Sequence, residues 1–199
     1  MFFRTKNGPQ WIIAFLGNPG TEYKDTRHNV GFWTAGELAS RLGVSIKRMK
    51  YGAYTEVCDI ADTRVMLMMP QTYMNRSGDA VYQAARSYKI PPERVLVVVD
   101  DVALQPGTLR IRRRGSSGGQ NGLKSIIMRL QSEDFPRVKI GVGAPSHAEY
   151  ELSDWVLGKP RGAELSGIQS AVKEAATAVE LIISDSLEAA MNRFNTSSK

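Results

Sequence analysis

What this chain lacks narrows its chemistry early. It has one cysteine in 199 residues, Cys58, so no internal disulfide can form and a reducing compartment fits. Cys58 lies inside an apparent strand, where a lone thiol packs as a small apolar group. There are two histidines, His28 and His147, and no Cys/His spacing that resembles a metal site. No apolar run approaches the ~20 residues that a membrane-spanning helix needs. Residues 1–10 hold too short an apolar stretch for a signal peptide and are expected to form a flexible arm. A cytoplasmic location is the expectation.

What is present is ordinary globular composition, 42% apolar and 23% charged, which excludes disorder and fibrous assembly. A chain of this length suits one domain that buries roughly 70% of its unfolded surface. The net charge of +6 is unevenly placed. Residues 108–139 carry eight basic side chains, Arg110 to Lys139, against Glu133 and Asp134 alone. That segment holds the whole excess. Concentrated positive charge argues for a polyanionic partner, nucleic acid first; a solvated basic face is the plainer alternative.

Hydrophobic patterning predicts strands at 11–16, 53–60, 64–69, 95–99, 108–113 and 137–142. The run Val95–Val99 is continuously apolar, as a strand covered on both faces must be. Thr108–Arg112 alternates, so one of its faces meets water. Helices are predicted at 30–42, about 76–88, about 120–131, and twice in the last forty residues. Asn29 and Gly43 bracket the first of these as caps. In 163–183, apolar residues recur at three- and four-residue steps, which gives an amphipathic helix packed on a sheet. Strands alternating with helices, without repeats or a long linker, predict an α/β fold. The expected form is a single three-layer domain over 11–194, a sheet flanked by helices. Residues 143–151 read as a surface loop and 195–199 as a polar tail.

Four constellations can carry chemistry. His28 follows the turn Gly17-Asn18-Pro19-Gly20, past the end of a strand, where open α/β sheets build their sites. A histidine is the natural proton acceptor near neutrality, although a lone one is more often structural. Asp100 and Asp101 directly follow the buried run and can orient an imidazole, hold a metal, or cap the next turn. Neighbouring strand residues point to opposite faces, so only one of the two should reach a given site. Asn75 offers a donor and an acceptor without charge, or caps the helix near Arg76. Finally, Gly115–Asn121 is a glycine-rich entry to a helix, a geometry that points backbone N–H groups at an anion such as phosphate. The same turn contains G-x-S-x-G at Gly115, Ser117 and Gly119. With Asp134 and His147 it spells a serine-hydrolase order, but it leaves an arginine-rich strand rather than a buried one.

Together, Gly17-Asn18-Pro19-Gly20 with Tyr23, Thr26-Arg27-His28-Asn29-Val30-Gly31, Pro70–Gly78, Asp100-Asp101 with Gly107, and Gly118–Ser125 resemble the bacterial-type peptidyl-tRNA hydrolases. The resemblance runs in order from about residue 11 to about 190. It implies a monomeric α/β enzyme with a central mixed sheet flanked by helices, and ester hydrolysis requires neither cofactor nor metal. The implied reaction is hydrolysis of the ester that joins a peptide to the terminal ribose of tRNA, which frees tRNA after aborted translation. It implies His28 as the catalytic base, Asp101 as its partnering carboxylate, and Asn18, Asn75 and Asn121 as site asparagines. Tyr23 and Met74 fall on positions lining the peptide groove, and Arg112 and Lys139 on positions that clamp an acceptor-stem phosphate. The partner implied is peptidyl-tRNA, through its acceptor stem and 3′ end, with no membrane and no obligatory protein partner. One position departs from the family: Gln120 stands where histidine is usual. It keeps hydrogen-bonding ability but cannot become cationic. A non-catalytic RNA binder on the same fold is the rival reading, and the intact set of His28, Asp101, Asn18, Asn75 and Asn121 argues against it. A small-molecule esterase leaves the basic segment unexplained.

Overall fold

The computed structural model describes residues 8–145 and 151–195. Most of the expected arm, much of the loop at 143–151, the tail beyond Asn195, and His147 lie outside the described residues. The elements are β1 (Trp11–Phe15), α1 (Val30–Leu42), β2 (Arg48–Lys50), β3 (Ala53–Ile60), β4 (Thr63–Pro70) and α2 (Ser77–Tyr88), followed by β5 (Val95–Asp101) and β6 (Leu109–Arg112). After these come α3 (Asn121–Leu130), β7 (Arg137–Gly141), α4 (Leu152–Leu157), α5 (Gly162–Ser184) and α6 (Leu187–Phe194). One sheet of seven strands has the order β2-β3-β4-β1-β5-β7-β6. Its centre, β4-β1-β5-β7, is parallel, while β3 and β6 run antiparallel to their inner neighbours. The sheet is therefore mixed, as expected.

Each central strand feeds two cores, because successive side chains leave a strand on opposite faces. Ile13, Phe15, Leu96 and Val98 pack with α1, α5 and α6. Ile12, Ala14, Val95, Val97 and Val99 pack with α2 and α3. Those two helix layers around one sheet make the three-layer architecture. Among the described residues, no helix is long and apolar enough to cross a membrane.

Local signals explain where the helices sit. Gly43 ends α1 at φ +65°, and its N–H returns to Ala39 and Ser40 carbonyls, the left-handed cap that glycine adopts cheaply. At the other end, a Cβ on Gly31 would stand 2.3 Å from the Leu16 carbonyl and 2.9 Å from that of Val98. The missing side chain lets α1 begin directly against β1 and β5. That contact brings the short 3-10 turn Arg27–Asn29 to the carboxyl ends of both strands.

Three elements differ from the sequence expectation. The strand at Val95 continues through Asp101, because β7 keeps pairing there, with Asp100 opposite Ile140 and Asp101 opposite Gly141. The three-residue β2 was not expected; it is largely exposed and too short for a period to show. The six-residue α4 was not expected either, and it buries only Val156. Asn29 occupies the cap position of α1 without capping it. Its side chain instead accepts from the Asn18 N–H at 2.8 Å and donates to the Asn18 carbonyl at 3.0 Å.

Candidate active site

A cleft of about 970 Å³ opens at the carboxyl ends of the parallel strands. Its chemistry begins with the turn after β1. The two Asn29 hydrogen bonds act like a strand pair and fix Asn18 in place. The Asn18 Oδ1 then accepts the Met74 N–H at 2.8 Å. A donor on that side fixes which end of the amide is oxygen, so the Asn18 NH2 group remains for a guest in the cleft. Met74 is 3% exposed and forms part of the cleft lining beneath the next residue, Asn75.

His28 stands 9% exposed in the 3-10 turn, with Nδ1 2.8 Å from Oδ2 of Asp100. Asp100 is 3% exposed. Its other oxygen, Oδ1, accepts from Gln120 Nε2 at 3.0 Å. Gln120 also uses its Oε1 to accept the Leu123 N–H at 2.8 Å, which caps α3. The carboxylate is thus held at both oxygens while its charge faces the imidazole. Burial pushes the His28 pKa down, and the Asp100 charge and hydrogen bond outweigh it, leaving the value above 6.5. With Nδ1 turned to the carboxylate, Nε2 is the nitrogen left for the cleft.

The expectation that Asp101 partners His28 is corrected by this geometry. Asp100 shares a face with Leu96 and Val98, the side covered by α1, and α1 carries the His28 turn. Asp101 lies on the opposite face, where its Oδ2 meets Lys139 Nζ at 2.8 Å and its Oδ1 accepts the Ala103 N–H at 2.9 Å. One residue of strand parity decides which carboxylate meets the His28 imidazole.

Asn75 and Asn121 are exposed and line the cleft on opposing segments, the turn before α2 and the start of α3. Among the described residues, neither side chain has a hydrogen-bond partner, and neither caps its helix: the α2 cap position is Arg76. Tyr73, one residue before Met74, lines the cleft with φ +59°, a strained setting that functional segments tolerate. Tyr23 does not line the cleft itself. Its ring meets Tyr73 edge-on at 6.4 Å, so it supports the rim from behind.

Lys139 lines the cleft, whereas Arg112 lies outside it on the exposed edge strand. The register pairs Arg112 with Arg137 and Arg110 with Lys139. Arg112 and Lys139 are therefore diagonal neighbours on one face, about 7–8 Å apart at the backbone. Long side chains at that spacing can converge on one phosphate. Arg137 supports this region from below. It is 1% exposed and donates to the backbone carbonyls of Phe135, Glu133, Gly115 and Ser116, with its pKa pushed down to about 10 by burial. The glycine-rich turn is tied down by a buried cation.

The structure does not bring the serine and the aspartate of the serine-hydrolase order together in one cleft. Ser117 lines this cleft, Asp134 lines a separate one of about 670 Å³, and His147 lies outside the described residues. Among the described residues, no three His, Cys, Asp or Glu side chains could hold a metal. Cys58 sits apart, its thiol pushed up to about 11 by burial, with Glu56 and Asp59 adding to the shift.

With this geometry in hand, comparison with known proteins decides the family. The family profile described as Peptidyl-tRNA hydrolase matches residues 12–199. The chain belongs to the peptidyl-tRNA hydrolase family. A peptidyl-tRNA hydrolase from Caldanaerobacter subterraneus is 49% identical over 185 residues, covering 93% of this chain and 99% of the relative. Another from Thermoanaerobacter is 48% identical over the same length, with the same coverage. A crystal structure of the Acinetobacter baumannii peptidyl-tRNA hydrolase superposes with a TM-score of 0.88 at 36% identity, covering 98% of both chains.

Several residues escaped the sequence reading of this peptidyl-tRNA hydrolase fold. The far wall of the cleft is α4, through Leu152, Ser153, Val156 and Leu157. Arg27, beside His28, holds that wall. Its guanidinium grips Glu164 on α5 at 2.6 and 2.9 Å, donates to the Trp155 carbonyl at 3.1 Å, and stacks 3.8 Å from the Trp155 ring. Trp155 in turn donates to the Gly143 carbonyl at 2.8 Å. The adjacency of Arg27 to His28 was the one available signal.

Proposed function

We propose that this chain hydrolyses the ester between a peptide and the terminal ribose of peptidyl-tRNA, with the imidazole of His28 as general base. The carrying observation is the His28–Asp100 pair, 2.8 Å apart and buried at the base of an open cleft. Asp100 keeps Nδ1 protonated, so Nε2 takes the proton from an attacking water. As the imidazolium forms, the same carboxylate stabilises it. General-base assistance of this kind is worth about 10²–10⁴ in rate. No serine or cysteine acyl intermediate is needed, because a ribose hydroxyl is a tolerable leaving group.

The carbonyl oxygen becomes negative as water adds. Donors for it come from the Asn18 NH2 group, whose oxygen is already engaged, and from Asn121 at the start of α3. One well-placed donor contributes about 10²–10³ in rate. Asn75, with Met74 beneath it and Tyr73 beside it, holds the peptide portion. Lys139 and Arg112 grip a phosphate of the acceptor stem. Such contacts position the substrate without reading its bases. The reading places the enzyme in the cytoplasm, acting as a monomer.

Single-turnover cleavage of N-blocked aminoacyl-tRNA, with His28→Ala beside the native enzyme, tests the proposal. The native chain should release tRNA and prefer the blocked substrate. His28→Ala should lose cleavage by at least about 10²-fold while still binding tRNA. Substantial cleavage by that variant would remove His28 as the base. Failure of the native chain to cleave while binding tRNA would favour a pure RNA binder.

A further inference from the structure

The geometry points to a second job for the strand end: Asp101 is a built-in counter-charge that keeps Lys139 from holding tRNA too tightly. This inference rests on the reading that Lys139 meets a tRNA phosphate. Lys139 Nζ lies 2.8 Å from Asp101 Oδ2, with the lysine side chain 19% and the carboxylate 14% exposed. Both line the catalytic cleft beside Ser117 and Gly118 of the glycine-rich turn. A Cβ on Gly118 would stand 3.9 Å from the ammonium, so the lysine head sits at the turn.

An ammonium has three donors, and Asp101 takes one. The others stay available to a phosphate, but the pair as a whole is close to neutral. An incoming phosphodiester must share the lysine with a fixed negative charge. The phosphate is the same before and after ester cleavage, so a contact to it binds substrate and product alike. Uniform binding of that kind lowers KM without raising kcat. It also delays departure of the freed tRNA. A carboxylate fixed on the lysine orients the ammonium toward the cleft and weakens its grip on both.

The geometry also supplies a clean probe. Asp101 Oδ1 accepts the Ala103 N–H at 2.9 Å and holds the turn, while only Oδ2 faces the lysine. Asp101→Asn keeps the first contact and turns an NH2 toward the ammonium, so the turn survives and the counter-charge goes.

Deacylated tRNA binding is measured for the native chain, Asp101→Asn, Lys139→Gln and the double variant, across a salt series. Thermal melting of each confirms the fold. Asp101→Asn should bind tRNA about two- to fivefold more tightly, the order of magnitude of a solvent-screened ion pair. Its steady-state kcat should fall more than its single-turnover rate, as release slows. The gain should vanish in the double variant. Unchanged or weaker binding by Asp101→Asn overturns the inference, as does a gain that persists without Lys139. If Lys139→Gln alone binds tRNA like the native chain, the phosphate reading of Lys139 fails first and this inference falls with it.

Discussion

The imidazole Nδ1 of His28 and the Oδ2 of Asp100 meet at 2.8 Å across 72 residues of sequence. The pair joins the turn before α1 to the end of β5, two segments that the close approach of Gly31 to the sheet brings together. Because Gln120 occupies the second carboxylate oxygen, the imidazole, the carboxylate and the start of α3 form one hydrogen-bonded line.

Removing the charge from that line should alter the pH profile. The Asp100 interactions hold the His28 pKa above 6.5 against the opposing effect of burial. A base must be neutral to work, so activity should rise with pH through that raised value. Asp100→Asn removes the charge that opposes burial, which lowers the His28 pKa and moves the acidic limb to lower pH. The same variant should lose about 10²–10⁴ in kcat. In the native chain, the pair stabilises the fold below the unfolded-state value and loses that contribution as pH rises through the folded one. A kcat–pH profile on both proteins decides; an unmoved acidic limb would detach Asp100 from the base.

Gln120 should act on both stability and chemistry. Gln120→Leu removes the α3 cap, worth about 0.5–2 kcal/mol, and frees Asp100 Oδ1. Gln120→Glu keeps an acceptor for the Leu123 N–H but places a second carboxylate beside Asp100. Melting curves should show the larger loss for leucine. The acidic limb of the pH profile should move upward for glutamate, since added negative charge favours the imidazolium. Equal limbs in all three proteins would make Gln120 a cap and nothing more.

Arg112 should matter for binding alone. Arg112→Ala is expected to raise KM with kcat little changed, and to flatten the salt dependence of tRNA affinity by roughly one phosphate contact. Titrating tRNA at several salt concentrations measures the slope directly. An identical slope would remove Arg112 from the interface.

Arg27 should control the α4 wall. Arg27→Met keeps much of the aliphatic stem while abandoning the two contacts to Glu164 and the stack on Trp155. The expectation is a KM increase that exceeds the fall in kcat, because α4 lines the cleft. Glu164→Gln, which keeps a hydrogen bond without the charge, should show a smaller effect in the same direction. A kcat loss with unchanged KM would mean that Arg27 serves the His28 turn rather than the wall.

The sequence alone determined the sheet-and-helix alternation, since Val95–Val99, the alternating β6 and the 163–183 stripe each carry their period locally. It also determined the chemistry on offer: His28 after a glycine turn, two aspartates at a strand end, three uncharged amides and one basic segment. Strand parity established that Asp100 and Asp101 face opposite ways. Which of them meets the histidine was decided by tertiary structure, because it depends on the side of the sheet that α1 covers. The short α4, with one buried residue, owes its place to Arg27 and Trp155 rather than to any pattern of its own. Periodicity is written residue by residue along a chain, whereas a hydrogen bond across 72 positions exists only once packing has chosen a face.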